Sequence, residues 1–167
     1  MTTASPLSRV LRGGHAFENW TALALMLAVT FLVFIQVILR YVLRHPLMGI
    51  EEMLLFPTIW LYFLGGAIAS RERNHIECRV VTMYVSGRSL HIANALKAAI
   101  SLIVAIWLTY GAYGYFRYAL RVGKESDMLY IPLVLGESAL FIGLLLMSIY
   151  TAWELADHVR LARRGGA

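Results

Sequence analysis

Charge is scarce in this chain of 167 residues: aspartate, glutamate, lysine and arginine together make up 15%, whereas hydrophobic residues make up 59%. Soluble domains average about 25% charged and roughly 45–50% apolar residues, so a water-soluble globular domain is excluded. Cysteine is nearly absent. Cys78 stands alone, which rules out an intrachain disulfide, and no Cys/His spacing suits a zinc or haem-attachment site. There is also no glycine-rich phosphate loop, catalytic triad pattern or metal-ligand cluster. The chain is therefore expected to hold no metal or cofactor and not to be an enzyme.

The five histidines, His15, His45, His75, His91 and His158, fall in loops or at the ends of hydrophobic runs. A membrane cytochrome needs histidine pairs inside facing helices, so that class is excluded too. The formal net charge of +5 does not indicate nucleic acid, because the arginines punctuate hydrophobic blocks instead of lining a soluble face.

What is present is four long apolar blocks. From Trp20 to Leu39 no charged residue occurs across 20 positions, which at about 1.5 Å per residue matches the roughly 30 Å of bilayer hydrocarbon. Arg9 and Arg12 precede this run, but it is too long for the apolar core of a signal peptide and lacks a small-x-small cleavage site. It reads as a retained first span. The second block, Met53 to Ser70, opens after Glu51 and Glu52 and closes at Arg71 and Arg73, with Pro57 near its start, where a missing backbone donor costs little. A third block runs from Ala98 to Phe116 and a fourth from Met128 to Trp153, interrupted by Glu137.

The expected fold is therefore all-α integral membrane: one domain with spans at about 20–41, 52–70, 92–116 and 129–153. Between the second and third, Ile76, Val80, Met83 and Tyr84 share one helical face, with Gly87 as a stop, so a short amphipathic interfacial helix is expected there. With the N-terminus inside, ten lysines and arginines fall in cytoplasmic segments and five outside. That bias predicts cytoplasmic N- and C-termini.

Glu137 is the one ionisable residue clearly inside a block. It reads as a hydrogen bond to a neighbouring helix or partner in preference to the carboxylate of a proton-coupled exporter, since no second charge accompanies it. Glu51 and Glu52 suit the positive end of a helix dipole, within reach of Arg40 or Arg44. Small residues recur four apart, at Ala24 and Ala28, Gly66 and Ser70, Ser101 and Ala105, Ala139 and Gly143. This spacing lets helix backbones approach closely.

Several of these features occur in a particular order: Arg40-Tyr41, Glu51-Glu52, Phe56 through Trp60 to Gly65-Gly66-Ala67, then Arg71 and His75-Ile76. Later come Gly123, Ser126, Leu129, Ile131 and Pro132. In that order they resemble the small membrane subunit of tripartite ATP-independent periplasmic (TRAP) transporters, the DctQ-like family, from about Asn19 to Trp153. Cys78 and Arg79 depart from the acidic residue often found after the His-Ile pair.

The resemblance implies a non-catalytic scaffold in the bacterial inner membrane. Its partners would be a large membrane subunit that moves an organic acid on a sodium gradient and a periplasmic binding protein that captures the solute. Candidate assembly residues are then Arg40, Glu51, Glu52, Arg71, His75 and Glu137, and candidate helix-packing residues are Gly65, Gly66, Ala67, Ser70, Ala139 and Gly143. The competing expectations are a self-sufficient exporter working through Glu137 and a membrane anchor of a respiratory complex.

Overall fold

The computed structural model describes residues 6–45, 47–72 and 88–164. Four helices account for most of them: α1 at Pro6–Val37, α2 at Met48–Arg71, α3 at Arg88–Val122 and α4 at Val134–Arg164. Four stretches are long and apolar enough to cross a membrane: Gly14–Val42, which runs from α1 into the π-helical turn that follows it, Gly49–Arg71, Asn94–Val122 and Val134–Arg160. The expected interfacial helix around Ile76 and Tyr84, and the candidate His75, lie outside the described residues.

The helices extend beyond the apolar blocks. With 35 residues, α3 is about 50 Å long, so its ends project past the hydrocarbon. The end of α1 widens into a π-helical turn at Ile38–Val42, closed by Leu43 N–H donating to the Ile38 carbonyl at 3.1 Å. Arg44 then takes φ 52°, a left-handed conformation unusual away from glycine, and the chain reverses towards α2.

Two local features differ from the sequence reading. Pro57 stands in the third turn of α2, because the helix already begins at Met48. It thus takes away an interior backbone hydrogen bond. The fourth helix begins at Val134, whereas the span was expected to start near 129. Residues 123–133 instead form a small hairpin-like loop, with Ser126 N–H donating to the Ile131 carbonyl at 2.9 Å, Leu133 N–H to the Lys124 carbonyl at 2.9 Å, and an antiparallel bridge between Glu125 and Pro132. The loop has a local cause. Gly123 at φ 59° ends α3 as a left-handed cap, and Tyr130 at φ 53° breaks any helix upstream of Pro132.

Packing follows the order α1, α2, α4, α3, each helix lying mainly on the next. The result is a row with a thin core. Its buried apolar residues are small, apart from Leu64: Ala67, Ala98, Ala112, Ala119 and Ala139. Among the described residues no large side chain is completely buried, whereas Trp20, Phe31, Tyr62, Trp107 and Tyr110 are among many that point outward. In water such a surface would aggregate; in lipid it is the ordinary exterior of a spanning helix.

The central α2–α4 seam is the tightest. A Cβ built on Gly143 would lie 2.5 Å from Phe63 Cβ and 3.1 Å from the Phe63 carbonyl oxygen, so the two backbones meet where a side chain is absent. Fully buried Ala67 and Ala139 belong to the same helices, a Cβ on Gly66 would lie 3.3 Å from Met147 Sδ, and Ser70 and Thr151 bring their hydroxyls to 3.4 Å. Gly65 faces open space, and Ala24 and Ala28 are exposed. On the other side of α4, Phe141 stacks on Phe116 with ring centroids 5.6 Å apart, and Thr109 and Ser148 approach to 2.9 Å.

Candidate functional site

The polar residues gather at the two ends of the row. At one end Arg71, the last residue of α2, reaches back to α1: one guanidinium nitrogen donates to Glu18 Oε2 at 2.7 Å and the other to Asn19 Oδ1 at 2.7 Å. Glu72 lies 3.4 Å away. The Arg71 and Glu18 side chains retain only 10% and 11% of their exposure. Tyr150 of α4 donates its hydroxyl to Glu18 Oε1, and His15 meets the Tyr150 ring edge-on at 6.4 Å. One carboxylate thus ties together three helices.

Beside this cluster a pocket of about 200 Å³ is bounded by His15, Ser70, Arg71, Trp153, Glu154 and Asp157. Glu154 is buried and pairs with His158 one turn on, at 3.6 Å. Sequence reasoning missed Glu18, Asn19, Tyr150 and Glu154. The spacing of Tyr150, Glu154 and His158 on one helical face was a usable signal for α4, whereas nothing linear connects Glu18 with Arg71.

At the other end Glu52, in the first turns of α2, holds the 123–133 loop. The Ser126 hydroxyl donates to its carboxylate, and the Met128 and Leu129 amides donate to it at 3.0 and 3.1 Å. Replacing Glu52 with alanine is expected to speed hydrogen exchange at the Met128 and Leu129 amides, while Glu51→Ala leaves them unchanged. Equal exchange in wild type and Glu52→Ala would mean that the loop holds itself. Glu51 instead accepts from Gln36 Nε2 at 2.7 Å and lies 3.8 Å from Arg40. Both members of that ion pair are more than half exposed, and it contributes under about 1 kcal/mol.

Glu137 sits in the first turn of α4 and accepts from the Tyr115 hydroxyl of α3 at 2.7 Å. The candidate assembly residues are therefore not one site. Arg71 and Glu52 are engaged within the chain, Arg40 and Glu51 form an exposed pair, and Glu137 links the last two helices.

Among the described residues no group of three or more histidine, cysteine or acidic side chains is placed to hold a metal. Ser70 and Thr151 bring their hydroxyls together beside the Arg71 cluster, and between the two polar ends Thr109 of α3 and Ser148 of α4 approach in the same way.

This architecture is that of a multi-pass membrane protein. Residues 29–161 match the family described as tripartite ATP-independent periplasmic transporters, DctQ component, and the chain belongs to that family. No curated protein matches it.

Proposed function

We propose that this chain is the non-catalytic scaffold of its transporter: it braces a large subunit that carries the solute and ion sites and that receives an organic acid from a periplasmic binding protein, driven by a sodium gradient. The observation that carries this reading is the contrast within the fold. Glu18, Arg71 and Glu52 are engaged inside the chain, whereas large apolar side chains of α1 and α3 lie open. A chain built to move a solute alone would reverse that pattern, with ionisable groups converging at mid-depth.

The same reading sets the chain in the bacterial inner membrane with both termini cytoplasmic. The arginine bias supports this orientation, since Arg71 and the C-terminal basic residues share one side. The loop held by Glu52 then faces the periplasm.

The test is reconstitution. Proteoliposomes containing this chain alone are expected to take up no organic acid on a sodium gradient. Addition of the large subunit and binding protein encoded with it restores uptake, and omission of this chain abolishes it. Uptake by the isolated chain, or full uptake without it, overturns the proposal.

A further inference from the structure

The pocket beside the Arg71 cluster holds a charge that the chain does not balance. Glu154 stands in its wall, and the side chain keeps only 9% of its exposure. Its one ion-pair partner among the described residues is His158 at 3.6 Å, too long for a hydrogen bond and ionic only when the imidazole is protonated. The other ring nitrogen of His158 is buried, with no hydrogen-bond partner among the described residues. Protons on both nitrogens would bury an N–H without an acceptor, so the site suits a neutral imidazole. Arg71 is committed to Glu18 and Asn19, each at 2.7 Å. A buried carboxylate without a counter-charge is costly, and a cation in the pocket removes that cost.

The lining of the pocket selects the cation. Among the described residues no three acidic, histidine or cysteine side chains are grouped to hold a metal. The walls are mixed instead: Tyr150 and Trp153 offer aromatic rings, Ser70 a hydroxyl and Glu154 a carboxylate. That set suits an organic ammonium, which pairs with the acid and rests on the face of an indole. Two features tie the amine to a lipid. The pocket lies at the end of the row where Tyr150 and Trp153 mark the headgroup level. Leu145, Ile149 and Trp153 follow at intervals of four along α4 and are 40%, 50% and 47% exposed. They make an apolar track about 12 Å long from the span to the rim of the pocket. A free amine has no use for that track; an acyl chain does.

We propose that this pocket binds the primary ammonium of an ethanolamine phospholipid, with Glu154 as counter-charge, Trp153 against the ammonium and an acyl chain along Ile149 and Leu145. A primary ammonium donates hydrogen bonds to the carboxylate, which a quaternary one lacks. Neither the scaffold role nor a particular orientation is needed for it. The headgroup then helps to hold α2 and α4 at this end, where both line the pocket.

The experiment takes the full purified chain in detergent and adds phosphatidylethanolamine, phosphatidylcholine or phosphatidylglycerol with identical acyl chains. Lipid retained per chain after washing and the unfolding temperature are both measured. Wild type is expected to retain about tenfold more phosphatidylethanolamine than either other lipid, the scale of one charge-assisted hydrogen bond, and to unfold at a higher temperature with it. Glu154→Gln abolishes the preference, and without lipid it unfolds no earlier than wild type because an unbalanced charge is gone. Trp153→Leu, at the half-exposed rim, lowers retention several-fold without loss of fold. Equal retention of the three lipids by wild type overturns the proposal, as does an undiminished preference in Glu154→Gln. A Glu154→Gln chain less stable than wild type without lipid also overturns it, since His158 would then already balance the acid. Stabilisation by free ethanolamine or by sodium chloride equal to that by the phospholipid overturns the assignment to a lipid.

Discussion

Replacing Arg71 with methionine will cost the chain about 3 kcal/mol, the scale for breaking a buried ion pair by removing one partner. The expectation follows from what remains. Glu18, at 11% exposure, loses its cation and keeps only the Tyr150 hydroxyl, while the Asn19 side chain loses a donor at 2.7 Å. Adding Glu18→Gln removes the stranded charge, so Glu18→Gln/Arg71→Met is expected to recover most of the loss. Unfolding of the purified variants in detergent provides the readout. If the double variant is as unstable as the sum of the two singles, the residues are not coupled and this cluster does not hold α1 to α2 and α4.

Gly143→Ala is the second large effect. The added methyl would lie 2.5 Å from Phe63 Cβ and 3.1 Å from its carbonyl oxygen, and neither atom belongs to a side chain that can swing away. The helices must separate, at a cost of about 1–3 kcal/mol typical of overpacking. Gly66→Ala should cost less, because its obstacle is the flexible end of Met147 at 3.3 Å, and Gly65→Ala should cost least, since nothing lies within 4 Å. The ranking Gly143 above Gly66 above Gly65, measured by the same unfolding assay, checks the α2–α4 seam directly. Equal stability of Gly143→Ala and Gly65→Ala would show that the two backbones do not meet there.

The four long apolar helices were legible because charge-free runs of this length have few other readings. Their arrangement was not. In a soluble protein a helix buries one apolar stripe and so points to its neighbours; here Trp20, Phe31 and Phe34 of α1 point outward as freely as any residue points in. Small residues were an uneven guide. Gly66 and Gly143 lie at the seam, but Gly65, Ala24 and Ala28 face outward, and sequence spacing alone does not separate a glycine that admits a backbone from one that leaves a groove.

The polar residues divided in a similar way. Arg40 and Glu51 are near neighbours across a short turn, and their proximity was readable. Arg71 and Glu52 also stood out, yet their partners did not, because Glu18 and Ser126 are 53 and 74 positions away. A charge at the end of an apolar run reads as a boundary mark. Only tertiary structure shows that Arg71 is a tie between helices.

The order of contact along the row also determines how this molecule yields to force. A closed bundle resists bending because every helix is held by two or more others. Here α1 and α3 are flanks, each attached mainly along one seam, while the glycine-to-backbone contact of α2 with α4 forms a stiff spine. Small rotations about the outer seams would change the curvature of the whole without opening a core, as the leaves of a hinged screen turn about a fixed panel.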